Sequence, residues 1–367
     1  TANRAASTIS ILMNDGTGLF EPAINIDSGF AGETSIAAID LNGDGYVDLL
    51  VATHDSNNVV SLLNDGTGNF TVFDSVSVGT GPWMMAIGDV NGDGFVDIAI
   101  ANRFTDDISI VRTDGSGGLQ FDAQYLVGDF PVAIDLGDID GDGDLDMVTA
   151  NYGEATRIWI NQSGHFIAYQ HNIDKRYQGT NNTETVATGD IDGDGDIDVF
   201  VGSRSVVGTY GVNPNHLFLI NNGDGTFIDG TERFAYDLKD AGMVTNAIWA
   251  DVNNDNKKDL VTVSEWDTPK IYLNNGKQLG KLKSSLDDMY GMWNGVEVAD
   301  LDKDGDLDLL VGNEIGTIAF YEFTGTLPNA FTLVDAAWAG IDMTSPQAPD
   351  GYSAPAIVYG SDTTLLI

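Results

Sequence analysis

A nine-residue acidic sequence recurs six times along this chain at nearly constant spacing, and that recurrence restricts the fold more than any other feature. It reads DLNGDGYVD at Asp40–Asp48, DVNGDGFVD at Asp89–Asp97, DIDGDGDLD at Asp138–Asp146, DIDGDGDID at Asp190–Asp198, DVNNDNKKD at Asp251–Asp259 and DLDKDGDLD at Asp300–Asp308. Successive starts lie 49, 49, 52, 61 and 49 residues apart. A period of this length means one supersecondary unit copied and stacked. The 367 residues therefore form one repeat domain rather than the two or three that length alone suggests. The long fourth interval marks insertions within one copy, among them RSVVGTYGVNPNH at 204–216.

Each copy carries a short apolar run (SIAAI, 35–39), the acidic loop, then VDLLVAT (47–53), VVSLLNDG (59–66) and FTVFDSV (70–76). Such runs, rich in β-formers and divided by Gly, Asn and Asp, read as strands, and no stretch has helical periodicity. Four strands per repeat of about 50 residues predict an all-β propeller of four-stranded antiparallel blades. The ends set the expected number of blades. TISILMNDGTGLFEPAINI (8–26) resembles the third and fourth strands of a blade, and PAIVYGSDTTLLI (355–367) the second and third. Joined, residues 1–27 and 335–367 complete a closing blade beside six loop-bearing blades over about 34–334, giving seven. Strand three then has two candidates, 9–13 and 363–367. The closing blade lacks the acidic motif, reading DMTSPQAPD at 342–350.

Carboxylate or amide oxygens occupy loop positions 1, 3, 5 and 9, and Gly occupies position 6 in five of six copies. That is a tight loop wrapped round a hard cation, and calcium, which takes 6–8 oxygen ligands flexibly, fits better than magnesium. Position 12 is Val51, Ile100, Thr149, Val201, Thr262 or Val311, never the bidentate Glu of an EF-hand, so the Asp at position 9 closes a β-hairpin loop. The four positions supply 21 carboxylates in all, and up to six calcium ions would relieve part of the formal net charge of −40. The fifth loop is expected to be partly or not occupied, because Asn256 replaces the glycine and Lys257 and Lys258 stand beside the site.

On these loops, DVNGDGFVDIAIAN and DIDGDGDLDMVTAN above all, the chain resembles the FG-GAP/VCBS repeat family, whose best-known members are the seven-bladed propellers of integrin α chains. The resemblance covers essentially the whole chain. It implies calcium-ligand roles for Asp40, Asn42, Asp44 and Asp48; for Asp89, Asn91, Asp93 and Asp97; and for Asp138, Asp140, Asp142 and Asp146. The same roles fall to Asp190, Asp192, Asp194 and Asp198; to Asp251, Asn253, Asp255 and Asp259; and to Asp300, Asp302, Asp304 and Asp308. It also implies that partners meet the face opposite these loops. No DxSxS adhesion run is present, so an inserted integrin-type adhesion domain is not supported.

The register offers candidate ligand-binding residues on that opposite face. Fourteen residues after each motif start, just beyond the second strand, stand His54, Arg103, Tyr152, Arg204, Glu265 and Glu314. The preceding slot is always Thr, Asn or Ser and reads as structural, whereas this slot varies in size and charge among the copies, as a surface for one asymmetric ligand would. Unconstrained loop residues would differ in the same way. Trp83, Phe104, Phe130, Tyr210, Trp266, Tyr290 and Trp293 lie nearby as loop packing or as a platform for a sugar or a protein hot spot. Trp159, Trp249 and Trp338 fall within strand runs and read as core between blades.

Composition narrows the functions. There is no Cys and only four His, which excludes disulfides, Cys-ligated metals and thiol catalysis. The acidic balance argues against nucleic acid, and no run approaches the apolar length of a membrane span. The opening TANRAAS has no signal-peptide hydrophobic region. Neither a GxSxG elbow nor HExxH occurs. Many weak calcium loops suit millimolar calcium, so the expected setting is extracellular, secreted or at a bacterial cell surface. The leading expectation is a calcium-stabilised module that binds proteins or mediates adhesion. A carbohydrate-binding lectin is the alternative, and a lyase acting on acidic glycans through His54, Tyr152, Arg103 and Arg204 is the second.

Overall fold

The computed structural model describes residues 2–4, 6–13, 21–169, 181–314, 317–324 and 331–335, with backbone alone at 357–359 and 364–366. Each acidic repeat becomes a quartet of antiparallel strands paired in sequence order. The first quartet is Glu33–Ile39, Asp48–Thr53, Asn58–Asn64 and Phe70–Ser77; the second is Pro82–Gly88, Asp97–Asn102, Asp107–Thr113 and Leu119–Leu126. The third is Pro131–Gly137, Asp146–Asn151, Arg157–Asn161 and Phe166–Tyr169, and the fourth is Asn181–Gly189, Asp198–Val206, Leu217–Asn221 and Phe227–Asp229. The fifth is Met243–Ala250, Asp259–Asp267, Lys270–Asn274 and Leu279–Lys281, and the sixth is Gly291–Ala299, Asp308–Asn313, Ile318–Phe323 and Phe331–Asp335. The last two are one eight-stranded sheet, because Glu265 and Asp267 pair with Met292 and Gly291.

Burial follows the strand order. The second strands DLLVAT, DIAIAN and DMVTAN are buried along their whole length, so they read as continuous apolar runs. The fourth strands, such as FTVFDSVS, are largely exposed. Sheets stack face to face, and each core cluster straddles two successive quartets. Leu50 and Val59 of the first meet Ile98, Ile100 and Val111 of the second; Ala99 and Ile108 of the second meet Met147 and Trp159 of the third. Trp159 is thus core between sheets, as the sequence predicts, and Trp249 packs on the cluster between the fourth and fifth quartets. Trp293, expected among the loop aromatics, is also core, 8% exposed between the fifth and sixth. Trp338 lies outside the described residues.

The first strands of successive quartets are neighbours from the first quartet to the sixth, which places them along a common axis, the arrangement of a β-propeller. Strands from both ends share one further sheet, ordered Ile357–Tyr359, Thr364–Leu366, Thr8–Met13, Ile24–Ile26, with Ala2–Asn3 also on Thr8–Met13. Thr8–Met13 is therefore the third strand. The C-terminal strands sit one slot inward of the sequence expectation, with Ile357–Tyr359 against the first strands of both the first and the sixth quartets.

Candidate functional site

Each acidic loop follows the end of a first strand, at one end of the axis. In the first loop Asp40 caps the turn: Oδ1 accepts from the N–H of Gly43 (2.8 Å) and Asp44 (3.2 Å), and Oδ2 from Gly45 (2.9 Å). Positions 4 and 6 are left-handed, with φ of 74° at Gly43 and 88° at Gly45, which only glycine adopts freely. In the fifth loop Asn254 (58°) and Asn256 (65°) take the same conformation, one that asparagine tolerates. Asn256 therefore keeps the loop intact, and its N–H still reaches Asp251 Oδ2 at 2.7 Å.

The Asp at position 9 is buried in all six loops and ties the loop to the sheet. Asp198 accepts the N–H of Ile191 (3.1 Å) in its own loop and of Asn221 (2.9 Å) at the end of the third strand. Burial pushes these carboxyls up, to about 7 for Asp198 and Asp308 and about 6 for Asp146 and Asp259. A divalent cation would hold such groups ionised.

The loops are not equivalent as metal sites. Ligand oxygens of Asp138, Asp140 and Asp146, of Asp190, Asp192 and Asp194, and of Asp300, Asp302 and Asp304 each gather within 4.8 Å of one another. Buried oxygens without any partner occur in each of these loops, at Asp138, Asp192 and Asp300 Oδ1, and in the second loop at Asp97 Oδ1. Gathered, unsatisfied carboxylate oxygens fit a hard cation, and these clusters could hold one. In the other three loops protein groups already occupy some of the oxygens. Asn42 Nδ2 donates to Asp44 Oδ2 (3.0 Å) and Asn91 Nδ2 to Asp93 Oδ2 (2.8 Å). Lys257 Nζ reaches Asp255 Oδ2 at 3.0 Å, and Arg112 reaches Asp97 Oδ2 at 2.8 Å. A protein cation thus stands on one carboxylate oxygen of the fifth loop and on one of the second.

At the other end of the axis is a cavity of about 130 Å³. Its wall includes Thr34, Trp83, Val132, Glu184, Thr245 and Asn294, each six residues before an acidic loop in its own quartet. At each of these positions the pairing of first and second strand slips, between Glu33 and Ser35, Pro82 and Met85, Pro131 and Ala133, Thr183 and Thr185, Val244 and Asn246, and Trp293 and Gly295. A bulge leaves one residue unpaired and re-aims its side chain. Six bulges in register thus build the cavity wall, and the sequence pattern does not disclose it.

The six candidate residues sit around this mouth with unequal exposure; His54, Arg103, Tyr152 and Glu314 follow their second strands as expected, whereas Arg204 and Glu265 lie within theirs, because those two strands run on to Val206 and Asp267. His54 is only 8% exposed, its ring edge-on to Trp83 and Phe104, and Nδ1 lies 2.6 Å from Asp55 Oδ1 and 3.1 Å from an Arg4 nitrogen. Burial pushes its pKa down. The Arg103 guanidinium lies 3.3 Å from the centroid of the Trp83 ring and 3.8 Å from Glu184 Oε1. Arg204 is 3.9 Å from the same oxygen and also binds Glu265, which is 3% exposed and accepts from Tyr210 Oη at 2.7 Å. Tyr152 is 45% exposed and packs on Phe130, and Glu314 is half-buried, its N–H on Met292 O. Glu184 thus gathers Arg103, Arg204 and Glu265. His54 and Tyr152 are not brought together, since Phe104 and Phe130 stand between them at centroid steps of 5.4, 5.9 and 6.0 Å.

A family model described as FG-GAP-like repeat matches residues 1–51, 40–100, 89–149, 138–201 and 251–311. No curated protein matches the chain. Among solved structures, a functionally unknown protein from Desulfotomaculum acetoxidans DSM 771 superposes with a TM-score of 0.60 at 11% identity, covering 95% of this chain and 96% of that one. BBS1N, crystallised in complex with ARL6DN and soaked with lead, gives 0.55 at 12% identity, covering 92% and 93%. Sqt1 of Saccharomyces cerevisiae gives 0.57 at 11% identity, covering 94% and 86%. At such identities the likeness is one of fold.

Proposed function

The chain belongs to the FG-GAP-like repeat family, and from that premise we propose that it is a seven-bladed, calcium-stabilised β-propeller that binds a protein partner outside the cell, as an adhesion module of an exported bacterial protein. The seventh blade is the sheet shared by the two ends. Calcium ions are held by the third, fourth and sixth loops, through Asp138, Asp140 and Asp146, Asp190, Asp192 and Asp194, and Asp300, Asp302 and Asp304. There they neutralise gathered carboxylates and join strands.

The observation that carries the reading is the contrast between the two ends of the axis. One end is acidic loop throughout. The other carries exposed aromatic side chains, Phe104 at 58%, Tyr152 at 45%, Tyr210 at 61% and Trp266 at 65%, around a cavity rimmed by Arg and Glu. An apolar centre with a polar rim is how protein interfaces are built. That BBS1N, a neighbour in fold, was crystallised in a complex with ARL6DN agrees with this use of the architecture.

The test is selection of a displayed random-peptide library on the immobilised chain in about 1 mM calcium. Peptides are expected to enrich and to lose binding to the double variant Phe104→Ala with Tyr152→Ala, but not to Asp65→Ala. Binding that survives the double variant, or no enrichment over bare support, overturns the reading. A second reading, a glycan ligand, is favoured by Trp266 alone. Its φ of 57° and the Nε1 hydrogen bond to Tyr210 Oη at 3.0 Å hold an exposed indole outward, as a platform for a sugar ring.

A further inference from the structure

The axial cavity is selective in a way that its charges and hydrogen bonds define. Trp83, Met84 and Val132 give it apolar wall. Its cationic side chains are engaged with neighbours, Arg4 with His54 and Asp55 and Arg204 with Glu265 and Glu184. Thr34 spends its hydroxyl on Pro82 O (3.0 Å), and Thr245 on Trp293 O (2.7 Å). Glu33 differs. It is fully buried and lines the cavity; its Oε1 accepts from Ser28 Oγ at 2.6 Å, while Oε2 has no partner.

A buried oxygen without a donor is unfavourable and marks a place where one is missing. A cationic ligand would meet Arg4 and Arg204, and an anionic one Glu33 and Glu184. What fits is neutral, largely apolar and tipped with a single donor. We propose that this cavity receives an aromatic side chain of the protein partner, a tyrosine phenol or a tryptophan indole, whose body lies against Trp83, Met84 and Val132 and whose O–H or N–H is donated to Glu33 Oε2. Such side chains are the usual anchors of protein interfaces. The inference rests on the protein-binding reading and names the group that the partner inserts.

The experiment uses the full chain in calcium with N-acetyl-tyrosinamide, N-acetyl-tryptophanamide and N-acetyl-phenylalaninamide as probes, followed by saturation-transfer NMR and titration. N-acetyl-lysinamide and N-acetylglucosamine complete the set. The tyrosine or tryptophan amide is expected to bind about tenfold more tightly than the phenylalanine amide, which lacks the donor. Glu33→Gln is expected to reduce that preference to less than about threefold, and Val132→Trp, by filling the cavity, to abolish binding. Met84→Trp serves the same purpose should Val132→Trp fail to fold. No binding of either donor-bearing amide at about 10 mM, equal binding of the phenylalanine amide, or preference for the lysine amide or the sugar overturns the proposal. If the selected peptides still depend on Phe104 and Tyr152 while the amides do not bind, the cavity assignment falls alone.

Discussion

Asn161 donates its side-chain Nδ2 to the backbone carbonyl of Val90 at 2.7 Å, across the boundary between the third quartet and the second. Val90 is position 2 of the second acidic loop, and the N–H of Asn161 is held by Asp146 Oδ1 at 2.7 Å in the third. Asn221 repeats the arrangement on Ile139 (2.6 Å) and Asn274 on Ile191 (2.6 Å). Each such asparagine therefore couples the acidic loop of its own quartet to the loop of the quartet before it.

Asn221→Ala is expected to cost about 2 kcal/mol, because it leaves the buried carbonyl oxygen of Ile139 and the part-buried one of Ile197 without their donor. Asn222→Ala, on an exposed neighbour, should change stability by less than about 0.5 kcal/mol. Urea unfolding of both variants decides it, and equal losses would dismiss the latch.

Calcium removal is expected to lower the melting temperature, since a ligand bound only by the folded state stabilises it by mass action. The effect should be unequal between loops. Asp192→Ala removes a member of a gathered carboxylate cluster with an unpartnered oxygen, whereas Asp255 already pairs with Lys257. Calorimetry with calcium and with excess EGTA should show a smaller calcium-dependent shift in Asp192→Ala than in Asp255→Ala. Identical shifts would contradict the ranking.

Arg204→Ala is expected to destabilise the protein by about 3 kcal/mol, because Glu265, 3% exposed, would keep a buried charge without its cation. Replacing both, Arg204→Met with Glu265→Leu, should recover much of the loss. If the double variant is no more stable than Arg204→Ala, packing rather than charge holds this pair in place.

His216 sets a pH dependence. It is 2% exposed, its Nδ1 accepts the N–H of Ser203 at 3.1 Å, and its Nε2 lies 3.0 Å from Gly242 O, so the neutral ring carries its proton on Nε2. Burial pushes its pKa down to about 4. The unfolded chain binds this proton more readily, so the contribution of His216 is complete above about pH 6.5 and is lost as pH falls toward 4. Imidazole nitrogen shifts from NMR should show the Nε2–H tautomer unchanged down to about pH 5. A midpoint near the ordinary histidine value would refute the assignment.

The strands and the acidic loops were legible because their signals are local: apolar runs between turn residues, and oxygens at fixed loop positions. Arg112 was not, since nothing near Asp97 in sequence announces a guanidinium arriving from the third strand. The cavity wall was hidden for a related reason. Alternation along 33–39 gives Thr34 a face by its parity, and the slip between Glu33 and Ser35 breaks that parity at the residue concerned. Hence the sequence pointed to the slot fourteen residues after each motif start, where His54 and Glu265 are buried, and passed over Glu33 and Glu184. The latch asparagines were visible as letters at the ends of third strands, but their partners lie 71 to 83 residues away.

The pairing of Glu265 and Asp267 with Met292 and Gly291 bears on how such a chain can gain or lose repeats through evolution. A unit that touches its neighbours only through side chains can be duplicated or deleted with its loop, leaving the rest to close up. The fifth and sixth units have exchanged backbone hydrogen bonds, so excising either strands the peptide groups of the other without partners. These two copies are therefore expected to be gained or lost as a pair, and length variation among descendants of this sequence to fall in the other repeats.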